Sequence, residues 1–202
     1  MQRPTPARPI PDKDAINALP AFARLNLKQI TVVTEVNAAR EAAAALRDHQ
    51  AWGFDTESKP TFRKDEVSDG PHVLQLATRD HAWVILLHDT ACRDVACELL
   101  AAPAHVKAGF GLGDDKRRIE SKLGVTPANV LELNTVFHDR GYRKDMGVKA
   151  AVAVLFDQRF MKSKKAATSN WAAPRLTESQ VLYAANDAWA AIEVFHALRA
   201  LD

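Results

Sequence analysis

Five residues in this sequence have types and spacings that could do chemistry together: Asp55, Glu57, Asp115, Tyr183 and Asp187. Asp55 and Glu57 sit in "WGFDTESKP", residues 52 to 60, inside what otherwise reads as a buried strand. Strand side chains alternate faces, so Gly53, Asp55 and Glu57 point one way while Trp52, Phe54 and Thr56 point the other. At roughly 4 Å and an effective dielectric near 20, two like charges repel by about 4 kcal/mol, a large fraction of a typical domain's stability. A divalent cation is the usual agent that offsets such repulsion.

Two further acids repeat the oddity. In "GDDKRRIESKL", Ile119 and Leu123 mark the buried side of a helix, and Asp115 stands four residues before Ile119 on the same stripe. Asp114 instead stands four before Arg118, a solvated pairing. In "LYAANDAWAAIEVFHAL", Tyr183 and Asp187 are one turn apart and share a helix face, with Asp187 set among alanines. Taken singly, each residue has a plainer reading as an edge acid or a core tyrosine. Four acids and a tyrosine on inward faces are harder to dismiss.

The elements that must position these side chains follow from the pattern around them. Residues 1 to 24 are proline-rich and polar, an arm whose apolar patch "INALPAF" docks through Ile16, Leu19 and Phe22. The folded domain then runs from residue 25 to 202. "KQITVV" reads as a strand and the alanine-rich segment after it as a helix, followed by the strand "AWGFDTE". "HVLQLAT" and "AWVILLH" form a hairpin across "RDH". A helix near 91 to 102, the strand "HVKAGFG", a helix closed by Gly124 and the strand "VLELN" complete an alternating run. The last third is helical, with "GVKAAVAVLF", a basic loop, and a final helix started by Thr177 and Gln180 in a capping-box pattern. The order implies an α/β fold: a mixed sheet flanked by helices.

Bulk properties exclude several classes. The 202 residues suit one domain with an arm, and a formal charge of +2 is too mild to argue for nucleic acid by itself. Cys92 and Cys97 lie five apart in a helical segment, which fits neither a structural zinc site nor a convincing disulfide. No run approaches ~20 apolar residues, and the N-terminus lacks a signal-peptide core. A soluble cytoplasmic protein with no membrane partner is expected. His88 and His138 have no metal spacing, and "GFGLGDD" lacks the pattern of a phosphate-binding loop.

"FDTE", the later Asp115 and "YAAND" together resemble the motifs of the DEDD superfamily of 3′-5′ exonucleases, in the branch with tyrosine in its third motif. The sister branch would carry histidine at position 182, which is Leu182 here. "VLQLAT", "AGFGLGDD" and "SNWAAPRLTESQVLYAANDA" resemble the Werner-type and ribonuclease D-like exonuclease domain, and the resemblance covers roughly residues 28 to 200. It implies a ribonuclease H-like fold and hydrolytic release of nucleoside monophosphates from a 3′ end with two divalent ions, Mg²⁺ or Mn²⁺. By motif, Asp55 would bridge both ions, Glu57 and Asp187 would complete the first site, and Asp115 would hold the second through water. Hard oxygen donors suit these ions and disfavour zinc. A phenol with a reference pKa of about 10 is a poor base near neutrality, so Tyr183 is assigned to positioning the attacking water.

For the substrate, Lys162, Lys164 and Lys165 are placed to grip phosphates, and Trp171 or Phe62 to pack near a terminal base, with Trp171 favoured by the resemblance. The expected partner is nucleic acid with a single-stranded or recessed 3′ end. The chain stops at Asp202 without the helical domains or helicase that accompany related exonucleases, so a stand-alone enzyme is expected. Substrate capture then falls to the domain, the arm or a homo-oligomer. Ser58 and Asn134 are local departures from the family pattern that leave the metal set untouched. DNA is the favoured polymer. The alternatives are an RNA 3′-end trimmer and a catalytically silent module that caps 3′ ends.

Overall fold

The computed structural model describes residues 8 to 61 and 69 to 201. Phe62 and the first seven residues of the arm lie outside them. Among the described residues six strands form one sheet: β1 Ile30–Val33, β2 Ala51–Glu57, β3 Val73–Ala77, β4 Ala82–Leu86, β5 Val106–Gly109 and β6 Val130–Glu132. They lie side by side in the order β1-β4-β3-β2-β5-β6. The β2–β3 and β3–β4 pairs are antiparallel, while β1 runs parallel to β4, and β5 parallel to both β2 and β6. The expected hairpin and mixed sheet are both present.

Eight α-helices accompany the sheet among the described residues: α1 Lys13–Ala18, α2 Val36–Arg47, α3 Thr90–Ala101, α4 Gly113–Leu123, α5 Leu133–Asp139, α6 Gly147–Phe156, α7 Lys164–Ala167 and α8 Glu178–Arg199. Gly124 ends α4 in the left-handed region at φ 68°, where a residue without Cβ is least strained. Thr177 and Gln180 form the reciprocal cap expected at the start of α8. No helix among the described residues is long and apolar enough to cross a membrane.

One expected element differs. "VLELN" yields only a three-residue strand, because the Glu132 side chain accepts from the Asn134 backbone N–H and starts α5 there. Asn134 is therefore helical, and its Oδ1 accepts from the backbone N–H groups of Met146 and Gly147 at 2.9 and 3.2 Å. It fixes the turn into α6.

The alternation of β2 separates two cores. Trp52 and Phe54 pack with Leu74, Leu76 and Ile85 against α2, α3 and α4. The opposite face packs on α8, which is apolar nearly all round and buries Ala184, Ala185, Ala188, Ala190 and Ala191. Phe22 of the arm joins this second core beside Phe156 and Trp189, with ring centroids at 5.1 and 5.3 Å. Ile16 and Leu19 are only half-buried.

Candidate active site

The closeness of α8 to β2 begins with Gly53. A Cβ at that position would lie 1.8 Å from the carbonyl oxygen of Ala188, so only glycine lets the helix backbone rest on the strand. Ala188 follows Asp187 directly. The contact that requires glycine at 53 therefore sets Asp187 against the strand face carrying Asp55 and Glu57, two and four residues further along. Carboxylate oxygens of Asp55, Glu57 and Asp187 all lie within 4.8 Å of one another.

Asp115 joins from the N-terminal turn of α4, where the Thr56 hydroxyl donates to its Oδ1. Thr56 also donates its backbone N–H to Asp55 Oδ1 at 2.8 Å, so one residue links the two acids. Glu132 orients the approach to α4: its carboxylate accepts from the N–H groups of Gly111 and Leu112 at 3.1 and 2.7 Å and of Asn134 at 3.0 Å. Asp114 is exposed as expected, but it pairs with Arg117 rather than Arg118. Across one turn of helix, Arg117 can fold back onto the carboxylate three residues before it.

The electrostatics follow from crowding. Burial, then the charges of Asp115 and Asp187, hold Asp55 well above the ordinary aspartate range. Burial and the charge of Asp55 push Glu57 up to about 9. Asp115 and Asp187 are also raised, again chiefly by burial, with Thr56 and Lys162 respectively opposing the shift. Burial and Asp187 raise the Tyr183 phenol too, so it stays protonated near neutrality and is a hydrogen-bond donor rather than a base.

Lys162 is the cation inside this group. Its Nζ lies 2.7 Å from Asp187 Oδ2 and 5.0 Å from the Tyr183 ring centroid. Burial opposes its charge, but Asp187 and Tyr183 outweigh that and raise its pKa. Lys164 and Lys165, which the sequence groups with it, are exposed on α7 and do not reach the acids. Trp171 corrects an expectation: it is 1% exposed and packs against Tyr183 with centroids 5.8 Å apart. Its ring supports Tyr183 from within and offers no face to a terminal base.

Two cavities open beside Asp187. One, of about 330 Å³, is bounded by Phe22, Arg24, Phe160, Met161, Tyr183 and Asp187. The other, of about 350 Å³, is bounded by Asp55, Phe110, Asn134, Met146, Lys162 and Asp187. Phe110, half-buried in that second wall, was not singled out by the sequence. Nor was Gln75, the cross-strand partner of Asp55, which is 1% exposed and has no hydrogen-bond partner for either amide atom among the described residues. Its signal was available, since a polar residue centred in "VLQLA" is a buried polar group awaiting a partner. Asn186 was also passed over; its side chain accepts from Leu25 N–H at 2.8 Å and donates to Leu25 C=O at 3.3 Å.

The residues fit a hard divalent cation. Three carboxylates converge, and among the described residues the buried Asp187 oxygens accept no well-directed hydrogen bond, although Lys162 and Tyr183 stand beside them. All donors are oxygen, the set suited to a hard cation rather than to a softer metal.

A mixed sheet with a long helix across its active strand is the architecture of the ribonuclease H-like exonucleases. The fold matches the crystal structure of Trypanosoma brucei RNase D in complex with RNA U12 at a TM-score of 0.73 and 20% identity, over 92% of this chain and 64% of that one. A family model described as 3′-5′ exonuclease matches residues 30–201, and the chain belongs to that family. It is 24% identical over 151 residues to a 3′-5′ exonuclease of Arabidopsis thaliana, covering 74% of this chain and 52% of that protein. It is 23% identical over 155 residues to the mouse bifunctional 3′-5′ exonuclease/ATP-dependent helicase WRN, covering 76% of this chain and 11% of that protein. The chain thus spans about half the length of the first relative and a small part of the second.

Proposed function

We propose that the chain is a metal-dependent 3′-5′ exonuclease that hydrolyses terminal phosphodiester bonds and releases nucleoside 5′-monophosphates. The observation that carries this reading is the convergence of Asp55, Glu57 and Asp187 within 4.8 Å, with Asp115 tied to them through Thr56. Asp55, Glu57 and Asp187 would hold one divalent ion, and Asp55 with Asp115 a second. Ions held there would supply the chemistry of acidifying an attacking water and neutralising charge on the leaving oxygen.

The remaining work falls to the chain's own side chains. Tyr183, protonated and braced by Trp171, donates a hydrogen bond that aims the attacking water. Lys164 and Lys165 lie exposed on α7 and are available to backbone phosphates. Phe110 takes the role first given to Trp171, as an aromatic face near a terminal base beside Asp55. Cys92 and Cys97 are free thiols, which supports a reducing cytoplasm as the place of work.

DNA is the polymer expected from the sequence. RNA is the second reading, supported by the likeness to an RNase D structure that holds RNA. The test incubates the protein with 5′-labelled DNA and RNA of one sequence in Mn²⁺, Mg²⁺ or chelator, beside Asp55→Ala. A metal-dependent ladder shortening from the 3′ end, absent in the variant, is expected, and the ratio of the two rates names the polymer. Binding without any ladder would instead favour a silent end-capping module.

A further inference from the structure

A phosphate-gripping role does not explain the placement of Lys162. It lies on the connection between α6 and α7, yet its Nζ points inward, 2.7 Å from Asp187 Oδ2 and over the Tyr183 ring. Its charge reaches Asp55 and Glu57 as well, where it opposes the upward pressure of burial. One ammonium therefore serves the same three carboxylates that converge as cation donors. Magnesium binds carboxylate oxygen at about 2.1 Å. A dication on Asp187 and an ammonium on the same carboxylate would lie within about 5 Å of each other, where they repel in a poorly solvated site.

One of the two must yield. Asp187 is fixed on α8, whose backbone rests on β2 at Gly53. Lys162 has a flexible stem on an irregular segment and a side chain 31% exposed, so it has a route outward. We propose, building on the metal-dependent reading above, that Lys162 is an internal counter-cation that exchanges with the divalent ion. Its ammonium neutralises the acids before loading and leaves Asp187 as the ion binds. The loop carrying it then presents that charge toward the solvent side of the site, next to Lys164 and Lys165, so that loading and readiness for a polyanion are coupled.

A residue that competes with the metal behaves differently from one that only supports the fold. Mn²⁺ binding to the full chain, measured by titration calorimetry, should tighten about tenfold in Lys162→Met. Thermal unfolding of that variant in chelator should come at a lower temperature than wild type, and the difference should close in saturating Mn²⁺. Lys162→Arg, which keeps the charge, should bind Mn²⁺ no more tightly than wild type and so guards against a poorly folded Met variant. Unchanged or weaker Mn²⁺ binding by Lys162→Met, a stability deficit that persists in Mn²⁺, or tighter binding by Lys162→Arg would overturn the exchange while leaving the metal-dependent reading intact. A wild-type chain that takes up no Mn²⁺ would overturn both.

Discussion

The two faces of β2 are built on opposite rules, although their side chains alternate along the same seven residues. On one face Trp52 and Phe54 are fully buried against other large apolar groups, and the Trp52 indole N–H finds the Leu46 carbonyl at 2.8 Å. On the other, a glycine and two acids meet a helix lined with alanines. Large side chains fill volume and remove apolar area from water, which stabilises the fold. Small ones let backbones approach and leave room for charge. The dry face supplies stability that the acidic face consumes, and the strand joins them with no intervening residue.

The sharpest way to break this division is Gly53→Ala, because its new Cβ would collide with the Ala188 carbonyl rather than with a flexible side chain. Overpacking against backbone should cost about 3 kcal/mol or more in denaturant unfolding, and nuclease activity should vanish with the displacement of Asp187. Asp55→Asn should separate the two properties. Activity should fall by more than ~100-fold, beyond the usual effect of removing a supporting group around a metal. In chelator, however, the variant should melt about 2–4 °C higher, as expected if relief of crowding contributes about 1 kcal/mol. On the dry face the opposite pattern is expected: Leu74→Ala should lose about 2–5 kcal/mol of stability with kcat per folded molecule unchanged.

A pH scan sharpens the same contrast. With Glu57 raised to about 9, the folded protein in chelator holds a proton that the unfolded chain has released above the ordinary value of 4.5. The native state then binds more protons, so this contribution to stability is greatest below about 4.5 and declines as pH rises toward 9. Melting scans in chelator should show that decline between pH 5 and 8.5. Saturating Mn²⁺ should weaken or reverse it, because the ion prefers the deprotonated carboxylates. A Glu57→Gln variant with the same slope as wild type would remove Glu57 as its source.

Much of this division was legible in the sequence, because it rests on local periodicity. The two-residue alternation of β2, the Asp115–Ile119 stripe and the one-turn spacing of Tyr183 and Asp187 each placed an acid on an inward face. What periodicity cannot show is a partner far away in sequence. The burial of Trp171 under Tyr183, the inward turn of Lys162 and the grip of Asn186 on Leu25 all depend on how loops return to α8. The β6 boundary failed for a different reason: a side-chain cap at Glu132 overrode a run of strand-forming residues.

The grip of Asn186 on Leu25 also matters to anyone who alters the chain. Asn186 adjoins Asp187, so the backbone at residue 25 is coupled through one side chain to a carboxylate of the site. Trimming the arm past Leu25, or fusing a rigid module there, should disturb turnover before it disturbs solubility. Arg199, at the far end of α8, lies about three helical turns from Asp187, making that end the safer point for a tag.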